Sequence, residues 1–192
     1  MPNLTIIIGS TRPGRSGAAI AKWFAARAKD HGGFDVAVVD LAEIGLPLLD
    51  EPNHPRLRQY TRQHAKDWSA IIDAADAFVF VTPEYNNGYP AALKNAIDYL
   101  HHEWRNKPVG FVSYGGVAAG TRAVQQLKQV VTALRMLPVY DSVNIPFHAQ
   151  FFTGGVFRSN EVMDKASDTM LDELVRTEAA LRPLRPAAEP VA

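Results

Sequence analysis

Gly9-Ser10-Thr11-Arg12-Pro13-Gly14-Arg15-Ser16 is the first stretch of this chain whose residue types and order can do chemistry. It follows Ile6, Ile7 and Ile8, a β-branched run that suits a central strand buried on both faces of a parallel sheet. From about Ser16 an amphipathic helix is expected, with Ala19, Ile20, Trp23 and Phe24 at one-face spacing. A strand, a turn rich in hydroxyls and glycine, and a helix N-terminus together make an anion site. Free backbone N–H groups and the positive end of the helix dipole converge on the turn. The hydroxyls of Ser10, Thr11 and Ser16 add hydrogen bonds, and Arg12 or Arg15 adds charge-assisted ones. The stretch reads as a phosphate cradle. It fits the nucleotide-triphosphate loop G-x-x-x-x-G-K-S except that Arg15 stands at the lysine, and a planar guanidinium does not replace a compact ammonium. The dinucleotide fingerprint G-x-G-x-x-G is absent, since Thr11 occupies its second glycine.

A second stretch, Thr82-Pro83-Glu84-Tyr85-Asn86-Asn87-Gly88-Tyr89-Pro90, leaves the apolar run Ala77–Thr82 and enters a helix expected to start at Ala91. Pro90 suits the opening of that helix, where its missing N–H costs nothing. Asn87-Gly88 is expected to take the sharp bend, because Asn-Gly favours positive φ. A flat heteroaromatic ligand would find backbone N–H donors for its ring nitrogens here, and Tyr85 or Tyr89 to shield a face. A third stretch, Ser113-Tyr114-Gly115-Gly116, ends the strand Pro108–Tyr114, and its glycines let the backbone approach a planar ring closely. With a ring site beside it, the first loop suits a terminal monophosphate, such as that of FMN, better than a pyrophosphate.

Strands and helices alternate to position these loops. The expected strands are the Ile6–Ile8 run, Asp35–Asp40, Ala77–Thr82, Pro108–Tyr114 and a shorter one within Pro138–Asn144. Helices are expected after Ser16 and over Arg56–Ala74, Ala91–His101, Gly120–Arg135 and Asn160–Leu181, the second with Leu57, Tyr60, Trp68, Ile71 and Ile72 inward. That alternation means an α/β sandwich with a mostly parallel sheet, and right-handed crossovers favour the order 2-1-3-4-5. Its ligand site lies at the carboxyl ends of strands 1, 3 and 4, where the three stretches stand. The 192 residues, 47% apolar and 21% charged, are enough for a substantial core. Twenty basic side chains balance twenty acidic ones, so nothing argues for a nucleic-acid or membrane partner. The absence of cysteine removes thiol chemistry and disulfides and fits a cytoplasmic setting.

Gly9–Gly17, the run Thr82–Asp98 (TPEYNNGYPAALKNAID) and Ser113–Gly116 together resemble the NADPH-dependent FMN reductase family, over roughly Leu4 to Arg135. The family includes quinone, chromate and azo-compound reductases. The resemblance implies a flavodoxin-like three-layer sandwich, with residues 1–182 as one FMN-binding domain and the Pro/Ala-rich 183–192 as a tail. It also implies that Ser10, Arg12 and Ser16, with Arg15 nearby, hold the FMN phosphate. Pro83, Glu84, Tyr85 and Asn86 would line the isoalloxazine, and Ser113, Gly115 and Gly116 would approach its pyrimidine side. NADPH would be the electron donor, a small molecule the acceptor, and a homodimer or homotetramer the assembly. No side chain need act as acid or base in taking hydride from the nicotinamide, so Tyr85 and Asn86 are positioning residues.

Three other readings stay open: a flavodoxin-type electron carrier, a P-loop nucleotide-binding protein with Asp40 as its magnesium ligand, and a non-catalytic sensor or structural protein that keeps the flavin fold. Tyr99, Leu100 and Trp104 are candidate interface residues, and Arg56, Arg58 and Arg62 form a basic face that could touch the NADPH phosphate. His101, His102 and a distant His148 do not have metal-site spacing, so no metal is expected. Phe151-Phe152-Thr153-Gly154-Gly155 is core packing, a subunit contact or a lid, and its sequence does not choose.

Overall fold

The isoleucine run lies at the centre of a sheet. In the computed structural model, which describes residues 1–185, β1 (Asn3–Ile8) pairs in parallel with β2 (Asp35–Asp40) on one side and β3 (Ala77–Pro83) on the other. β4 (Pro108–Tyr114) pairs in parallel with β3. β3 and β4 are buried at every residue, which is why each reads as an unbroken apolar run rather than an alternating one. α1 (Gly17–His31) and α6 (Glu161–Leu181) cover one face, over Leu4, Ile6 and Ile8. α3 (Gln63–Asp73), α4 (Ala91–Asp98) and α5 (Thr121–Ala133) cover the other, over Ile7, Phe78 and Phe80. A one-turn helix, α2 (Leu41–Ile44), follows β2 directly. The order is β2-β1-β3-β4-β5, the flavodoxin-like arrangement. All parallel strands end at one edge, and loops 9–16, 84–90 and 115–120 meet there.

Four local expectations are corrected. The fifth strand is split: β5 (Leu137–Pro138) pairs with the start of β4, and β6 (Val143–Ile145) with its end. Between them, the N–H groups of Tyr140 and Asp141 turn away to the Glu173 carboxylate of α6, at 3.0 and 2.8 Å. The helix expected over Arg56–Ala74 begins only at Gln63, because Pro55–Leu57 forms a 3-10 turn that Arg58 ends at φ 51°. Leu57 is accordingly exposed, whereas Tyr60, Trp68 and Ile72 are buried. α4 stops at Asp98, not at His101. Tyr99, Leu100 and Trp104 pack inside the chain, with Trp104 against Phe78 and Phe80, so they are core and not interface.

In the phenylalanine-rich segment, Phe151 and Phe152 are half-buried against the core under α1 and α6, and residues 153–155 are exposed. A short hairpin, β7 (Phe152–Thr153) with β8 (Val156–Phe157), buries Phe157 against Trp23 of α1 at 5.3 Å between rings. Of the stretch read as a tail, Pro183–Arg185 falls within the described residues. Arg185 reaches Asp76 at 2.6 Å and Glu178 at 3.0 Å. The remainder, 186–192, lies outside the described residues.

Candidate functional site

The first loop leaves β1 through Gly9, whose N–H still joins the sheet at Val81 O, 2.9 Å away. Arg12–Arg15 then closes a turn, with Arg15 N–H donating to Arg12 O at 3.1 Å. Pro13 and Gly14 fill its centre, and Gly14 takes φ 71°, as a type II turn requires at that position. The Ser10 hydroxyl is buried, lies 2.7 Å from the Tyr85 hydroxyl and accepts from Arg12 N–H at 3.4 Å. Ser16 caps α1 in helical geometry, yet its hydroxyl bonds none of the helix amides. Among the described residues, the N–H groups of Ser10, Thr11, Gly14, Ser16, Ala18 and Ala19 find no acceptor, and that of Gly17 lies beside the Tyr114 hydroxyl. That is an anion cradle at the start of a fifteen-residue helix.

The two arginines part company. Arg12 is exposed and makes no ion pair among the described residues. Arg15 is ion-paired with Asp40, whose other oxygen accepts from Ala42 N–H at 3.0 Å and so starts α2. Asp40 is thus occupied twice, which removes the magnesium ligand that a P-loop reading needs.

The second loop is a tight hairpin turn. Tyr85 N–H donates to Gly88 O at 2.8 Å, and Gly88 N–H returns to Tyr85 O at 2.9 Å. The positive φ values belong to Asn86 (49°) and Asn87 (69°), so the bend sits one residue earlier than expected. Both central residues of a type I′ turn need left-handed geometry, and asparagine tolerates it. The turn consumes the amides of Tyr85 and Gly88 and leaves those of Asn86 and Asn87 without acceptors among the described residues. Tyr85 and the two asparagines are exposed, whereas Pro83 is buried in β3. Glu84 turns toward α5, where its side chain is ion-paired with Arg122.

The third loop is fixed from within. The Ser113 hydroxyl is fully buried, donates to Ala119 O at 2.8 Å and lies 2.9 Å from Asn144 Oδ1. Gly115 O accepts from His148 twice, from its backbone N–H at 3.2 Å and from Nδ1 at 3.0 Å. A carbonyl only accepts, so Nδ1 carries the proton. A Cβ at Gly115 would lie 3.1 Å from Gly120 N, a close approach of two backbones that glycine permits. Gly116 is exposed and open.

The structure therefore brings Arg12, Ser16, Tyr85, Asn86, Gly115 and Gly116 to one open edge, with Ser10 buried beneath them and bonded to Tyr85 and Arg12. Glu84 and Ser113 have their polar atoms committed to protein partners, and Arg15 is held by Asp40 through Nη2 while its buried Nε has no partner among the described residues. Tyr114, which sequence reasoning passed over, lies under the first loop. Its hydroxyl is buried beside the Gly17 N–H and the Ser10 hydroxyl, without a well-formed hydrogen bond among the described residues, and a Cβ on Gly17 would come within 2.7 Å of it. Burial raises its pKa above the ordinary tyrosine value. Arg122 and Gln126 were also missed. They sit one helical turn apart on α5 and hold the second loop (Gln126 Nε2 to Asn87 O, 3.0 Å). Arg58 pairs with Asp73 beside the start of β3, at the opposite edge, and Arg62 with Asp50.

A flavodoxin-like sheet with an anion cradle and a turn of exposed amides at its carboxyl edge defines a nucleotide-type cofactor protein. The chain belongs to the NADPH-dependent FMN reductase family, whose model matches residues 2–150, and it is an FMN-dependent NAD(P)H oxidoreductase. It is 44% identical over 149 residues to an NAD(P)H-dependent FMN reductase of Schizosaccharomyces pombe, covering 76% of this chain and 74% of that one. An FMN-dependent NADPH-azoreductase of Staphylococcus haemolyticus is 26% identical, over 88% of this chain and 92% of the other. In fold it is similar to the flavoenzyme NAD(P)H:(acceptor) oxidoreductase of Paracoccus denitrificans, with TM-score 0.74, 22% identity, and coverage of 94% and 98%.

Proposed function

We propose that the carboxyl edge holds FMN with its phosphate in the first loop and its ring against the second and third, and serves a small acceptor such as a quinone, azo compound, chromate or free flavin. The observation that carries this is the set of six loop and helix amides without acceptors among the described residues, beside an exposed Arg12 with no ion pair among them. FMN, when bound, supplies the hydride chemistry between nicotinamide and acceptor. The residues bind and orient. Ser16 and the amides of the first loop and α1 hold the phosphate, and Arg12 adds charge from the solvent side. Asn86 and Asn87 present N–H donors toward the ring edge, and Gly115 and Gly116 admit its plane. Tyr85 ties the ring-facing loop to the phosphate loop through Ser10. No side-chain acid or base is needed to receive hydride from NADPH.

A groove of about 420 Å³ beside Thr11, between α2 and the start of α4, has the size of a small-molecule site and an apolar lining that includes Leu41, Leu46, Leu48 and Ala91. Such a surface favours flat, apolar acceptors. A homodimer or homotetramer in the cytoplasm completes the proposal. Leu48 and Leu49 support the assembly, since both are exposed on a loop fixed to α4 by Asn95 and Tyr99. Among the described residues, no helix is long and apolar enough to cross a membrane. Initial rates of NADPH oxidation with a quinone and with an azo dye test the acceptor class. One face used in turn by donor and acceptor gives parallel double-reciprocal lines, and intersecting lines would contradict it. Removing the Tyr85 or Asn86 side chain slows turnover without abolishing it.

A further inference from the structure

We infer that Arg122 and Gln126, on the outer face of α5, are positioning residues for the ring-facing loop, and that Arg122 also cancels the charge of Glu84 beside the flavin. This rests on the placement of the flavin ring proposed above. Glu84 opens a loop whose next three residues are exposed, yet its own side chain is only 6% exposed. One carboxylate oxygen accepts from Arg122 Nε at 2.5 Å, and the other from the Arg122 backbone N–H at 3.2 Å. That amide belongs to the first turn of α5, so the helix dipole adds to the neutralisation. Four residues on, Gln126 Nε2 donates to Asn87 O at 3.0 Å. Two side chains one turn apart thus grip the entry of the turn at Glu84 and its tip at Asn87.

The turn needs that grip. Its centre is two asparagines in left-handed geometry, closed by a single pair of backbone bonds and projecting from the sheet edge. Donors that face a ring must be held before the ring arrives, and loops do this poorly unless a rigid element supports them. α5 is that element. The charge argument is independent of the mechanical one. An uncompensated carboxylate next to an electron-accepting ring opposes its reduction, because charge near the ring tunes its potential. Arg122 is more than half exposed, so its removal takes little from the core.

The test uses the FMN-loaded protein and reads FMN affinity, flavin midpoint potential and melting temperature for Arg122→Ala, Arg122→Lys, Gln126→Ala and the double variant Glu84→Gln/Arg122→Ala. Arg122→Ala is expected to weaken FMN binding about tenfold, equivalent to about 1.4 kcal/mol, and to move the potential more negative. Arg122→Lys restores the potential but only part of the affinity, since lysine keeps the charge without the planar fork. Gln126→Ala weakens affinity alone. The double variant returns the potential toward that of the unmodified protein. An Arg122→Ala protein with unchanged affinity and potential overturns the inference, as does a potential shift that survives in the double variant. If the unmodified protein takes up no FMN, the placement of the flavin itself fails, and that is seen before any variant is made.

Discussion

At the amino edge of the sheet, Glu103 is fully buried and accepts from Tyr60 at 2.9 Å and Ser69 at 2.7 Å, with Arg58 3.4 Å away. Beside it, Lys107 is buried and donates to the carbonyls of Ile72 and Asp73 at 2.9 and 3.0 Å, closing the end of α3. At the carboxyl edge the polar groups are left open. Six amides of the first loop and α1, the amides of Asn86 and Asn87 and the Arg12 guanidinium have no protein partner among the described residues. Burying polar groups is tolerated only when they are paired, and leaving them unpaired is tolerated only at a surface or for a ligand. One edge closes its polar groups on one another and the other leaves them open, on the same strands, as the proposed division between stability and binding requires.

Substitutions at the two edges should therefore separate stability from cofactor binding. The largest effect is expected for Glu103→Ala, which leaves Tyr60, Ser69 and the His101 N–H without their acceptor and takes the second carboxylate from beside Arg58. A loss of about 3–5 kcal/mol in urea unfolding is expected, with FMN affinity of the folded fraction unchanged. A parallel loss of FMN affinity would break the comparison. Lys107 comes next. Burial pushes its pKa down to about 8 from the ordinary 10.5, so between these values the unfolded chain holds the extra proton and stability rises with pH. At about 1.4 kcal/mol per pKa unit the rise is on the order of 3 kcal/mol, and Lys107→Met should flatten it.

Gly17→Ala is expected to act at both levels, since the new Cβ would crowd the Tyr114 hydroxyl at 2.7 Å. Overpacking of this kind costs about 1–3 kcal/mol, and here it also displaces the first amides of α1, so FMN retention should fall more than stability does. Equal losses would mean that the α1 terminus serves packing rather than phosphate. The smallest effect is expected for Tyr85→Phe. Losing its hydrogen bond to Ser10 costs about 1 kcal/mol or less in stability, with a few-fold weaker FMN binding read by fluorescence titration.

How much of this was legible in the sequence follows the same division. β1, β3 and β4 are read directly, because strands buried on both faces leave unbroken apolar runs. Gly9, Gly14, Asn86, Asn87 and Gly115 mark the loops, because few residues tolerate what those backbones do. What was not legible depends on distant partners. The fifth strand breaks where Glu173, about thirty residues further on, captures two of its amides. Tyr99, Leu100 and Trp104 could be core or interface from pattern alone, and only packing decides. Arg122 and Gln126 look like any solvated helix face until the turn they hold is seen. Arg12 and Arg15 are indistinguishable in sequence, yet Asp40 takes one and leaves the other.

The most direct test is an absorbance spectrum of the purified protein after FMN addition and gel filtration, followed by anaerobic titration with NADPH, for the unmodified chain and for Gly17→Ala together. A flavin band that is retained and bleaches on NADPH addition in the first, and is diminished in the second while the protein stays folded, is the predicted result. A retained band that NADPH does not bleach would contradict the oxidoreductase assignment. Equal retention by both proteins would contradict the assignment of the phosphate to the first loop and the start of α1.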